Sequence, residues 1–213
     1  MKLKHFALMF SSVGIFILYI ISLFSQPINI NLNEISEYEG KEITTEGVVT
    51  TYYTTKYGSQ LITIEENNGS ATVFIEGEID VEYGDRIRAT GEVQKYKNSW
   101  EIIANDERDV KIIQKWQNIS FPIWQLAESP AKYRNLNVNV TGYVETLTDT
   151  SFCLVDLEEK HSLTVFYDYL DENKSYSGEK VSAAGKFYFD EKNFEYVLEI
   201  HDERHGVIIL SEA

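Results

Sequence analysis

Gly84-Asp85-Arg86-Ile87-Arg88-Ala89-Thr90-Gly91 returns as Gly178-Glu179-Lys180-Val181-Ser182-Ala183-Ala184-Gly185. Around this pair the whole chain repeats. Gly47-Val48-Val49 recurs as Gly142-Tyr143-Val144, Val73-Phe74 as Val165-Phe166, and Asp106-Glu107-Arg108 unchanged as Asp202-Glu203-Arg204. The offsets stay between 92 and 96 residues, so the two copies are collinear with small loop insertions. Self-similarity at a fixed period means one structural unit used twice. Each copy, at roughly 80–90 residues, is long enough to bury a core of its own. The expected organisation is an N-terminal segment over 1–27, a first domain over 28–115, and a linker with a second domain over 116–213.

Within one copy the pattern is that of short strands. Residues 42–55 mix β-branched and polar types, a long strand with Gly47 inside it where a bulge or sharp bend would sit. Leu61-Ile62-Thr63-Ile64 predicts a second strand, Asn67-Asn68-Gly69 a tight hairpin, and residues 71–75 a third strand. A fourth strand runs from Gly84 to about Tyr96. A fifth starts at Trp100 and resumes at Val110. Five short strands with a long, bent first one describe a small closed barrel, and Gly47 and Gly142 stand where the bend is needed. Gly91 and Gly185 recur at a matching structural position. Arg108 and Arg204, each inside Asp-Glu-Arg, are expected to pair with a neighbouring carboxylate and lock the barrel end. Between the copies, Ser120 to Glu128 predicts one short helix with Pro122 near its start.

The run Tyr38-Glu39-Gly40-Lys41 leading to Glu46-Gly47-Val48-Val49, then Tyr83-Gly84-Asp85-Arg86-Ile87 through Gly91-Glu92-Val93, resembles OB-fold domains of the nucleic-acid-binding type, anticodon-binding and replication-protein-A-like. The resemblance covers residues 34–113 and, less closely, 126–210. It implies an all-β fold of two tandem five-stranded OB barrels. It also implies single-stranded nucleic acid bound across strands two and three and the loops joining strands one–two and four–five. The charge departs from that family. The chain has 34 acidic against 19 basic residues, a formal −15, shared as −9 over 34–113 and −8 over 126–210. A negative surface repels phosphate backbones, because such affinity comes largely from Lys and Arg releasing counterions. A local basic patch remains compatible with this average.

Residues 6–24 carry no charge and follow the basic head Met1-Lys2-Leu3-Lys4-His5. As a helix they would rise about 28 Å, close to the ~30 Å hydrocarbon core of a bilayer. The leading expectation is an uncleaved signal anchor, a transmembrane helix over 6–24 with the domains outside the cytoplasmic membrane. A cleaved signal, giving a secreted protein, is the alternative. Four Asn-x-Ser/Thr sequons, at Asn68, Asn118, Asn139 and Asn173, accord with either placement.

The binding signal is aromatic and lies in the first copy: Tyr52, Tyr53 and Tyr57 near the first loop, Tyr96 and Trp100 around the fourth, with Lys56, Lys95 and Lys97 among them. Bases stack on such rings at ~1–3 kcal/mol each. The competing expectation is that half of these rings are barrel core. In the second copy only Tyr188, Phe194 and Tyr196 occupy the later loop region. His201 and His205 are weak metal candidates. Their place near the end of an exterior barrel resembles the haem chaperone of cytochrome c maturation, whose histidine is followed four residues on by tyrosine; here His205 stands in the tyrosine's place, so solvent-exposed histidines are the stronger expectation. Cys153, the one cysteine, aligns with Ile62 and reads as a small buried hydrophobe. The acidic clusters, including Glu76 to Asp85, read as solvated faces. With no G-x-S-x-G, H-E-x-x-H, phosphate loop or C-x-x-C, catalysis has no support and no cofactor is expected. Three functions remain open: a binder of single-stranded nucleic acid or another oligomeric ligand, an envelope module that binds a protein partner, and a haem or metal chaperone.

Overall fold

The computed structural model describes residues 2–24, 26–170 and 175–210, without the side chains of residues 2–4, 6–8 and 21–24. The sequon at Asn173 lies outside the described residues. α1 (Lys2–Phe24) is one helix, and its residues 9–20 are uncharged and almost all exposed. Among the described residues no helix is long and apolar enough to cross a membrane.

The first barrel is built from β1 (Ile28–Asn29), a 3-10 segment at Leu32–Tyr38, β2 (Glu42–Thr54), β3 (Ser59–Glu66), β4 (Gly69–Glu76), β5 (Arg86–Tyr96), β6 (Ser99–Ala104) and β7 (Val110–Gln114). β2 pairs with β5 over Glu42–Val48 and with β3 over Val48–Thr54. β3 pairs with β4, β4 runs parallel to β6, and β6 returns antiparallel to β5. The ring therefore closes in the order of an OB-like Greek-key barrel. Strand alternation supplies the core: Ile43, Val49, Ile62, Ile64, Val73 and Ile87 are all fully buried. Leu32 and Ile35 of the 3-10 segment join the same core.

β2 changes partner at Val48, one residue after Gly47. A Cβ on Gly47 would lie 2.9 Å from the Ile64 Cβ, and one on Gly142 would lie 2.7 Å from Leu154 Cγ and from the Val155 carbonyl oxygen. The glycines are needed for close strand approach. The bulge itself follows them, at Thr50 in β2.

The second barrel comprises β8 (Ser120–Pro122), α2 (Ile123–Glu128), α3 (Pro130–Tyr133), β9 (Asn137–Leu147), β10 (Ser151–Val155), β11 (Ser162–Tyr167), β12 (Lys180–Asp190), β13 (Glu195–Ile200) and β14 (Gly206–Ile209). It closes the same way, with β9 pairing to β12 and then, from Tyr143, to β10. The helix expected over 120–128 is shorter than its signal. Residues 120–122 pair in parallel with β9, and helix begins only after Pro122, whose missing N–H suits a helix start. Ile123 and Leu126 then plug the second core.

Cys153 corrects the alignment of the copies. It is half-buried, while its neighbours Phe152 and Leu154 are buried at 2% and 0%. Phe152 pairs with Val165 just as Ile62 pairs with Val73, so Cys153 corresponds to Thr63. A shift of one residue moves a strand side chain to the opposite face.

The barrels meet along a seam centred on Trp116, which is 2% exposed. Its backbone N–H donates to Asp85 Oδ1 at 3.0 Å and its indole N–H to Glu82 Oε2 at 2.7 Å. Lys115 Nζ lies 3.1 Å from Asp85 and 3.6 Å from Glu82. Glu82 and Asp85 are buried at 4% and 0%. The expectation of a solvated acidic face therefore fails for these two, because an indole and a lysine satisfy them inside the seam.

Candidate ligand-binding face

The outward residues of β2, β3, β4 and β6 fall into register across the first barrel. Tyr53 pairs with Leu61, Leu61 with Phe74, and Phe74 with Ile103. Odd positions on β3 and even positions on β4 point away from the core, so these four side chains share one outer row. Tyr53 is 59% exposed, and the other three are half-buried. Beside it runs a polar row, Thr51, Thr63, Thr72 and Glu101. Leu61, Phe74 and Ile103 were not singled out from the sequence. Their signal is the period-two alternation of each strand, which becomes a row only once the register between strands is known.

The two loop clusters flank this face. Tyr57 and Lys56 sit in the β2–β3 turn, beside the end of β4 at Glu76. Tyr96 ends β5 and Lys97 begins the β5–β6 turn, level with the start of β4, since Thr72 pairs with Glu101. β4 is eight residues long, about 25 Å at ~3.3 Å per residue. The loops therefore bracket the row and do not meet. In each, a lysine covers a ring: Lys56 Nζ is 4.9 Å from the Tyr57 centroid, Lys97 5.2 Å from Tyr96, and Lys95 5.4 Å from Trp100. Tyr57 and Tyr96 are 83% and 57% exposed.

Two predicted members belong elsewhere. Trp100 packs against the first core, on the same side of β6 as Ile102, so it closes the barrel mouth. Tyr52 packs on that core too and tilts against Tyr83 at 4.9 Å, with Lys186 of the second barrel 5.5 Å from the Tyr83 ring. Burial pushes the Tyr52 hydroxyl up, with Tyr83 the next cause. In the second barrel Ser151, Phe166 and Glu199 stand where Leu61, Phe74 and Ile103 stand in the first, and Thr146, Cys153 and Thr164 where its polar row stands. Burial raises the Cys153 thiol, aided by Glu145, which disfavours its reactive thiolate form.

The Asp-Glu-Arg triplets differ in what they hold. Asp106 caps its turn, and Arg108 pairs back to it at 2.8 Å, holding the Asp106 carboxyl at about 2. Arg204 pairs with Asp202 at 3.4 Å and also reaches across the seam to Glu82. His205 is not a solvent-exposed histidine. It is half-buried, edge-on to Trp116 at 5.7 Å and to His201 at 5.5 Å, and it accepts from the Asp202 N–H at 3.4 Å. His201 is exposed beside Glu199. Among the described residues no group of three or more His, Cys, Asp and Glu side chains converges to hold a metal.

No family model matches the chain, and no curated protein matches it. Several solved structures are similar over one part of it. Asparaginyl-tRNA synthetase from Pyrococcus horikoshii is 18% identical over 44% of this chain, with a TM-score of 0.35. Telomere capping protein Ten1 from Saccharomyces pombe is 12% identical over 41% of this chain and 81% of its own, with a TM-score of 0.31. An OBody bound to hen egg-white lysozyme is 16% identical over 42% of this chain and 99% of its own, at 0.34. This chain spans only 24% of the asparaginyl enzyme and 21% of a Leishmania major aspartyl-tRNA synthetase. The fold assignment rests on strand order and closure.

Proposed function

We propose that the chain is a non-enzymatic binding protein whose first barrel takes a single strand of nucleic acid, or another oligomeric ligand with stackable rings, across the Tyr53–Leu61–Phe74–Ile103 row. The supporting observation is that row, bracketed by Lys56 and Tyr57 at one end and by Lys95, Tyr96 and Lys97 at the other. Stacking on Tyr53 and Phe74 supplies sequence-tolerant affinity, and the lysines supply a salt-dependent part. The overall −15 charge limits that affinity. Fluorescence anisotropy of labelled single-stranded DNA and RNA tests this at low and moderate salt. Binding at micromolar concentration that falls with salt, and falls about tenfold in Tyr53→Ala, is expected. No binding at low salt would refute it.

A second reading is a protein partner in the cell envelope. It is favoured by the apolar character of Leu61, Phe74 and Ile103 and by Glu65, Glu76 and Glu101 on the same three strands. Cross-linked co-purification that returns one protein and no nucleic acid would establish it over the first. We also infer that residues 6–24 anchor the chain in the membrane, with both barrels outside the cytoplasm. The uncharged, outward-facing 9–20 stretch and the basic head support this. Recovery of the full chain in the soluble fraction of cells would overturn it.

A further inference from the structure

The link between α1 and the first barrel is three residues long. α1 ends at Phe24 and β1 begins at Ile28, a separation of at most about 14 Å when fully extended. β1 is fastened to the barrel from its first residue. Ile28 and Asn29 pair in parallel with Ile43 and Thr44. The Ile30 N–H donates to the Thr44 carbonyl at 3.0 Å, and the buried Thr45 hydroxyl donates to the Ile30 carbonyl at 3.0 Å. The chain therefore enters the barrel at the end where β2 begins.

The β5–β6 hairpin projects from that same end. β5 runs antiparallel to β2, with Glu42 opposite Glu92. One step further, the Gly40 N–H donates to the Val93 carbonyl at 2.8 Å and the Val93 N–H to the Lys41 carbonyl at 3.0 Å. Lys41 stands two residues before Ile43, the partner of Ile28, and Tyr96 stands three residues beyond Val93. The hairpin tip thus extends about 16 Å past Ile28, back toward the helix, at ~3.3 Å per residue. That equals the longest reach of the link. We propose that the tip, Tyr96 to Asn98, rests in the headgroup layer of the bilayer that holds residues 6–24. The inference rests on the reading of those residues as an anchor, and not on which ligand lies on the outer row.

The side chains at the tip suit that place. Tyr96 is 57% exposed, and Lys97 Nζ lies 5.2 Å from its ring centroid. A tyrosine set among headgroups keeps its apolar body and its hydroxyl both partnered, and a long lysine stem carries its ammonium to the phosphates. Charge does not select the surface. Lys41, Lys95 and Lys97 share this end with the exposed Glu37, Glu39, Glu42 and Glu92, which leaves no basic surplus. The short link selects it, so the contact is indifferent to the charge of the lipid. The outer row then stands along the membrane normal, with Lys56 and Tyr57 at its open end, about 25 Å further out.

The test uses the full chain with Cys153→Ser, reconstituted in phosphatidylcholine vesicles. A single cysteine is placed by Asn98→Cys or by Lys56→Cys and labelled with an environment-sensitive fluorophore. Both positions are exposed turn residues, so labelling leaves the barrel folded. A lipid carrying a nitroxide on its headgroup should quench the label at 98 severalfold more strongly than the label at 56. Adding phosphatidylglycerol should leave that ratio unchanged. Flotation of the vesicles on a density gradient reads the anchor separately. Protein that fails to float would overturn the anchor reading and this inference with it. Protein that floats but is quenched equally at both positions, or more strongly at 56, would overturn this inference alone. A difference seen only with anionic lipid would overturn the role given to the link.

Discussion

Nη1 of Arg204, in the second barrel, lies 2.8 Å from Oε1 of Glu82, a first-barrel residue only 4% exposed. This ion pair, with the Trp116 indole on the other carboxylate oxygen, fastens the two repeats together. Its arginine belongs to a triplet that occurs identically in the first repeat, where Arg108 reaches only its own Asp106. The same three residues thus do different work in each copy.

Arg204→Ala should therefore destabilise the protein by about 1–3 kcal/mol, since it strips a charged partner from a buried carboxylate. Arg108→Ala should leave the unfolding midpoint unchanged, because its pair is exposed and confined to one turn. Urea unfolding of the two variants checks this, and equal losses would contradict it.

His205 sets a pH dependence. Burial lowers its pKa from the ordinary 6.5, against the pull of Asp202 and Glu82; His201 and Arg204 lower it further. The folded state thus prefers the neutral ring, so the contribution is fully present above about 6.5 and shrinks as pH falls below it. The midpoint of wild type should drop between pH 7.5 and 5.5. His205→Gln should flatten that drop, and an identical pH profile in the variant would refute the assignment.

Gly91→Ala should be more harmful than Gly47→Ala. A Cβ at Gly91 would lie 2.3 Å from the Ile103 carbonyl oxygen, a backbone atom, and one at Gly185 2.6 Å from that of Glu199. At Gly47 the overlap is milder, 2.9 Å to the Ile64 Cβ and 3.3 Å to atoms further along that side chain, with no backbone atom among the nearest. The expected costs are about 3 and about 1 kcal/mol, measured by the same unfolding assay.

Tyr52→Ala and Tyr53→Ala should separate stability from binding. Tyr52 packs on the core and on Tyr83, so its loss lowers the melting temperature. Tyr53 is exposed, so its loss should weaken ligand binding at an unchanged melting temperature. A ligand that ignores Tyr53→Ala would not lie on the outer row.

The repeat made the barrels legible, because glycines at strand crossings and turn signals are local properties. Gly47 and Gly142 stand beside the positions where their strands change partner. What depends on register was not legible. Cys153 was misplaced by one residue, and Leu61, Phe74 and Ile103 gained meaning only as a row. The seam was hidden for a different reason. Glu82, Asp85 and His205 look like surface residues in sequence, and only Trp116 and Arg204, distant along the chain, bring them inside. Tyr52 and Trp100 fell to the core, as strand aromatics often do.

One consequence concerns order along the chain. Gly84 and Gly178 mark the same corner of the two barrels. A Cβ at Gly84 would strike the Asn137 carbonyl at 2.5 Å and meet Trp116 at 3.2 Å, while at Gly178 nothing lies within 4 Å. The first repeat presents a socket and the second does not, so the tandem has a direction. A circular permutant that places residues 120–210 ahead of residues 28–118 would keep every strand and the Trp116 contacts to Asp85 and Glu82, yet it would cut the short link from Trp116 to β8 that brings Asn137 and Arg204 of the second barrel to that socket. The repeats resemble each other as modules but are not interchangeable parts.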